Sequence, residues 1–403
     1  MATFMSAIEC LRERGQVQAS GAVSARTLMQ HFHPDPAGSV RALQAAIFAS
    51  VATRRPWAVI LCRFKGMGPN PVLERPIEDF FRHAFSPGSG GLVEYWRDVS
   101  LGSIDITGSR VFDWVETDIE RSKAAGTPRS TPAGPGRSGL IDYAIKALQK
   151  RGDDPLAGFH SQIVIYPYRW AKDGAPAGAD YRTPGWGSYW IDGSADGRGK
   201  VCLTPPFDGN VVAHEMGHGF NMEHDVGADM KTNYADPCCI MSQNGSFQHP
   251  IFKVPFGPAL CIAHLAQQGW LYKRRVLVDA GDWMRRKEGI ALLLGAISRP
   301  AVETNLGAKL AYKTPDAAWD YYLEYVRPID WNQGVVPGTA YLFVRRLAEV
   351  EGIGVTAIYL GGVAIPDKIG QPAIFTEPSG NVRFTVELMD LPGSQIKVVA
   401  QKL

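Results

Sequence analysis

Residues 214–224 read HEMGHGFNMEH, and no other stretch restricts the chain's local geometry as much. On an α-helix, residues four apart share a face, so His214 and His218 present two imidazole nitrogens to one point, with Glu215 beside that face. His224 lies six residues past His218 and falls off the face. To join the pair it needs the helix to end soon after His218 and the chain to turn back. Such a reversal calls for a residue with positive φ, and Gly219 or Asn221 can supply it, asparagine being the non-glycine residue most tolerant of left-handed backbone. Asp208 stands where an N-cap for this helix is expected. The short run CCIMS follows at 238–242.

The HExxH spacing suits a bound zinc acting as Lewis acid, with the glutamate as base on a water. A catalytic zinc takes three protein ligands and keeps one position open. In one large class the third ligand is a glutamate on a later helix, but no glutamate occurs between His224 and Glu288, which leaves His224 as the better candidate. The competing account is a polar helix with structural histidines. It leaves the third histidine and the glutamate beside the pair unexplained.

At 403 residues the chain is long enough for two domains and an appendage. Lys+Arg 42 against Asp+Glu 40 leaves no basic surplus, so nucleic acid is not expected as a partner. No apolar run approaches the roughly 20 residues of a spanning helix, so membrane insertion is not expected, and the visible N-terminus lacks the pattern of a signal peptide. Six cysteines are too few for a disulfide scaffold. Cys238, Cys239 and Cys261 lie near the histidine motif in sequence, either as part of a bracing disulfide or as buried thiols.

The pattern along the chain predicts three parts. Residues 1–52 read as a helical preamble, a propeptide or a packing arm. Residues 53–275 carry buried-strand runs (WAVILCRF, QIVIYP), helical stretches (PIEDFFRHAF, GLVEYWRDV, SGLIDYAIKALQKRG) and the motif helix. Within them, SLGSIDITGSRVFDWVET reads as a strand pair about a glycine turn, and the glycine-rich loop from Ala171 to Gly199 holds the aromatic island GWGSYW. Residues 276–403 alternate in short strands such as IALLLGA, YYLEYVRP and GVTAIYLGG, and predict an antiparallel β-sandwich as a separate module.

HEMGHGFNMEHD with CIMS downstream resembles the metzincin zinc endopeptidases, whose pattern is H-E-x-x-H-x-x-G-x-x-H followed by a methionine turn. The adamalysin and gametolysin branches are the nearest in look. The resemblance is tight over 208–242. It is looser over VEYWRDVSLGSIDITGSRVFDW and YYLEYVRPIDWNQGVVPGTAYLFVRR, which look like parts of immune-inhibitor and gametolysin-like peptidases. It implies an α+β fold: a metzincin-like catalytic domain, with a twisted mixed sheet and an active-site helix, and a C-terminal antiparallel β-sandwich. It further implies one catalytic Zn2+ held by His214, His218 and His224, Glu215 as general base, Met241 as the turn methionine and Asp225 as the acidic residue after the third histidine. The departure is Asn221, where the family places glycine.

The activity implied is endopeptidase cleavage of protein or peptide substrates: the metal lowers the pKa of its water, and Glu215 takes the proton and passes it to the leaving amine. Gly187, Ser188, Tyr189 and Trp190 offer an edge strand for an extended substrate. The tyrosine that some branches carry after the methionine turn is missing from SQNGSFQHP. Secretion is the family expectation, though no signal is visible. Two other functions compete: a zinc-containing, inactive binding protein that uses its β-module, and hydrolysis of a non-protein amide. The intact Glu215 speaks against the first. His31 and His33 form an H-x-H pair that reads as exposed loop histidines, His83, His160, His249 and His264 show no partner in the sequence, and Cys10 lacks the flanking motif of propeptide thiol switches.

Overall fold

The computed structural model describes residues 52–124, 134–167, 199–205, 207–242, 244–271, 276–279, 281–298, 304–315, 317–390 and 395–403. The preamble with Cys10, His31 and His33, and the island Gly187, Ser188, Tyr189 and Trp190, lie outside the described residues.

Strands β1 (Thr53–Arg54) and β2 (Trp57–Arg63) lead into helices α1 (Pro71–Ala84) and α2 (Leu92–Val99). Then come β3 (Ile104–Asp105), β4 (Arg110–Glu116), α3 (Arg121–Ala124), α4 (Gly136–Arg151), β5 (Ser161–Ile165) and β6 (Val201–Leu203). The central sheet is all parallel, in the order β4-β2-β5-β6. A parallel sheet is covered on both faces, which is why WAVILC is buried residue after residue instead of alternating. Trp57, Val59 and Leu61 face a core shared with α1, α2 and the motif helix, while Ala58, Ile60 and Cys62 face α4.

The expected pairing within SLGSIDITGSRVFDWVET does not form. β3 pairs with β1 and β4 pairs with β2, both in parallel, so the turn at Gly108 (φ +94°) carries the chain from one sheet to the next instead of closing a hairpin.

The motif helix α5 (Gly209–Gly219) is followed by β7 (Val226–Gly227), a 3-10 turn at Ile240–Ser242, β8 (Phe247–Gln248), β9 (Pro255–Phe256) and α6 (Ile262–Gln267). The remaining strands are β10 (Val276–Asp279), β11 (Ile290–Gly295), β12 (Gly307–Lys313), β13 (Ala318–Val326), β14 (Tyr341–Val350), β15 (Gly354–Ala364), β16 (Ala373–Thr376), β17 (Val382–Leu388) and β18 (Gln395–Lys402). They build two sheets, β10-β12-β13-β14-β15-β7 and β11-β18-β17-β16. Most pairs are antiparallel; β10 with β12 and β15 with β7 are parallel. The class is therefore α+β.

The two sheets enclose a core of alternate side chains, among them Leu323, Leu342, Val344, Val386 and Val398. The intervening positions Tyr322 and Phe343 point the other way, into the core beneath the motif helix. The six-stranded sheet thus serves two cores and takes its last strand, β7, from the segment just after His224.

A three-histidine candidate metal centre

Asp208 is extended (φ −140°, ψ 164°), and its side chain accepts a hydrogen bond from the backbone N–H of Val211 at 2.7 Å, capping α5. The helix runs through His214, Glu215 and His218 and ends at Gly219. Two glycines let it sit so deep. A Cβ on Gly217 would meet Met241 Sδ at 2.4 Å, and one on Gly219 would meet the Trp57 ring at 2.2 Å. Met241 is fully buried, with its sulfur packed against the helix at Gly217.

The reversal after the helix is made at Asn221, with φ +62°. Gly219 does not take that role. The backbone N–H of Asn221 donates to His218 O and that of Met222 to Gly217 O, and the chain swings His224 back over the helix. Here the side chain that tolerates left-handed backbone stands where the turn needs it. Asn221→Val is expected to strain the turn by about 1–2 kcal/mol and weaken metal binding, while Asn221→Gly leaves it near wild type; competition against a chromophoric chelator measures both.

His218 Nε2 lies 3.2 Å from His214 Nε2 and 3.0 Å from His224 Nε2. His214 Nδ1 faces Ile240 O and His218 Nδ1 faces Met222 O, each at 2.8 Å. A carbonyl only accepts, so both Nδ1 atoms carry their proton and both Nε2 atoms present bare lone pairs to one another. Nitrogens so arranged repel unless a cation lies among them, and outer hydrogen bonds of this kind are what fix ligating histidines. Burial, reinforced by the neighbouring imidazoles, pushes His214 down to about 3 and His218 down to about 4, and burial lowers His224 as well. All three are neutral at physiological pH, the form that binds metal. The donor set therefore fits zinc. Glu215 is 3% exposed on the same helix, one residue from His214.

Tyr234 has no counterpart in the sequence reading. Its hydroxyl lies 3.0 Å from His224 Nε2, and its ring packs 4.4 Å from the His224 ring. The residue is held at φ +58° by its own N–H, which donates to Asp225 O, and by Asn244 Nδ2, which donates to Tyr234 O. A bulky residue in left-handed backbone beside a polar cluster is the kind of strain found at working sites. Nothing in TNYADP marks it by type.

Behind the centre lies a buried polar chain that was equally hidden. Asp225 accepts from His264 Nε2 at 2.8 Å and from Ser242 Oγ at 3.2 Å. Burial opposes the charge on both partners, but each offsets it for the other: His264 is held up at about 9 and Asp225 below the usual carboxylate range. Ser242 Oγ accepts from the backbone N–H of Asp236, and both carboxylate oxygens of Asp236 accept from Arg345. Arg345, on β14 and fully buried, also donates to Cys238 O and to Glu324. Thr356 on β15 donates to His224 O at 2.7 Å.

Cys62, Cys202, Cys238, Cys239 and Cys261 are buried and free of disulfides. A cavity lined by Asp98, Phe247, His249 and Trp331 includes none of the three histidines, and it lacks their convergent lone pairs. No described helix is long and apolar enough to cross a membrane. No protein-family profile matches the chain, and no curated protein matches it.

Proposed function

We propose that the protein is a zinc-dependent endopeptidase of metzincin type, with His214, His218 and His224 as ligands and Glu215 as general base. The observation that carries the proposal is the convergence of three neutral imidazoles, with His218 Nε2 3.2 Å from His214 Nε2 and 3.0 Å from His224 Nε2, beside a buried glutamate, with Met241 beneath. A zinc ion held there would supply Lewis acidity to a water and to a substrate carbonyl.

The chain's own residues do the rest. Glu215, enclosed at the floor of the site, takes a proton from the attacking water and returns it to the leaving nitrogen. Tyr234, at the open side, donates a hydrogen bond to the oxygen on which negative charge develops, the part that SQNGSFQHP leaves unfilled. Tyr234→Phe removes only that donor and is expected to lower kcat by about 10²-fold, with KM and metal content near wild type. A variant whose kcat stays within a factor of two would remove Tyr234 from the mechanism.

Cleavage of an unfolded protein such as casein, lost on chelation and restored by stoichiometric zinc, is the expected result for this function. Retained zinc with no cleavage of any protein would favour the zinc-containing binding protein. Cleavage confined to non-protein amides would change the substrate class but keep the chemistry.

A further inference from the structure

We propose that Asp225, Cys239, Cys261 and His264 form a second metal site, closed and structural, that takes zinc behind the three-histidine centre. One carboxylate oxygen, two sulfurs and one imidazole nitrogen lie within 4.8 Å of one another, and all four side chains are buried. That is the full ligand count of tetrahedral zinc with no position left for water, the mark of a structural site. Two thiolates and an imidazole select zinc over magnesium or calcium, which prefer oxygen alone. The ligand-to-ligand separations of tetrahedral zinc, roughly 3.2–3.8 Å, lie within the 4.8 Å span of the four ligand atoms, and the 2.8 Å contact between His264 and Asp225 opens slightly to reach them.

The surroundings fit as well. Cys261 and His264 stand three apart at the start of α6, so they reach the same point. His264 Nδ1 donates to Gln267 Oε1 at 3.0 Å, so this proton stays in place when Nε2 gives up the one it shares with Asp225 and turns its lone pair to the metal. Ser242 Oγ holds the second oxygen of Asp225. The Cys239 thiol reaches both Asp225 and Cys261 and forms no disulfide. Both thiols sit in the apolar core, yet each also faces a buried carboxylate or imidazole, which an apolar filler would leave unused. Binding requires both thiols and the imidazole to give up their protons to solvent.

An ion here would tie together three segments that meet nowhere else in sequence: the residue after His224, the loop two residues before Met241, and α6. It would brace the floor of the histidine centre without touching its donors, and it does not depend on that centre being hydrolytic.

The test uses the full chain, purified without chelator or reductant, then stripped and loaded with cobalt(II). A thiolate-to-cobalt charge-transfer band is expected in wild type and in the His214→Ala/His218→Ala double variant, because the three-histidine centre has no sulfur. The band is expected to vanish in Cys239→Ser/Cys261→Ser. Zinc content is expected to be two per chain in wild type and one in each double variant. Should the serine variant fail to fold, zinc-edge X-ray absorption on the histidine variant decides alone, with sulfur scattering at about 2.3 Å as the expected result. Absence of sulfur scattering and of the charge-transfer band, or a mass showing Cys239 joined to Cys261 by a disulfide, overturns the proposal. Absence of proteolysis in zinc-loaded wild type with the sulfur signature present would count against the peptidase reading only.

Discussion

Glu215→Gln is expected to lower kcat for peptide hydrolysis by about 10²–10⁴-fold, the usual contribution of one positioned base, equivalent to roughly 3–5 kcal/mol of barrier. Glutamine fills the same volume at a position that is 3% exposed, so the packing of the motif helix is retained. Glu215 is not assigned as a ligand, so metal content and melting temperature are expected to match wild type. KM is expected to stay within a few-fold, because the lost interaction acts on the transition state and not on bound substrate. Kinetics on a fluorogenic peptide, paired with elemental analysis, measures the split. A drop in cleavage that tracks a drop in metal would recast Glu215 as support for the ligands.

Arg345→Leu is expected to destabilise the protein by roughly 3–5 kcal/mol in denaturant unfolding, since it leaves a buried acidic group without its cation. The guanidinium faces two carboxyls at once, Asp236 and Glu324. Burial pushes both up, Glu324 to about 7, against the pull of Arg345. The loss also reaches the histidine centre. Asp236 anchors the loop between Tyr234 and Met241, so cleavage is expected to fall at temperatures well below melting. Neutralising the partners together, in Arg345→Leu/Asp236→Asn/Glu324→Gln, is expected to recover most of the stability, because paired removal spares the uncompensated charge. If the single variant unfolds within about 1 kcal/mol of wild type, the link between the β14 sheet and the metal-centre loop does not have the strength assigned to it.

Local patterns made the centre legible. Four-residue spacing put His214 and His218 together, Asp208 marked the helix start, and the backbone tolerance of Asn221 marked the turn, because each depends on neighbours along the chain. Tyr234, His264 and Arg345 were not legible: their contacts to His224, Asp225 and Asp236 span 10, 39 and 109 residues, and nothing in their types singles them out. The same holds for β7, whose two residues form a strand only because β15 is there to pair with them. GAKLAYK forms a strand although it carries no β-branched residue, because sheet context overrides that weak propensity. Ile104–Asp105 and Arg110–Glu116 were seen as strands but given to each other, since pairing is a property of the sheet and not of the segment.

The most direct measurement is an anomalous difference map at the zinc edge from crystals grown without chelator. A peak within about 2.0–2.1 Å of the Nε2 atoms of His214, His218 and His224 together is the predicted result. No peak at that point in crystals of protein that still cleaves casein would contradict the account.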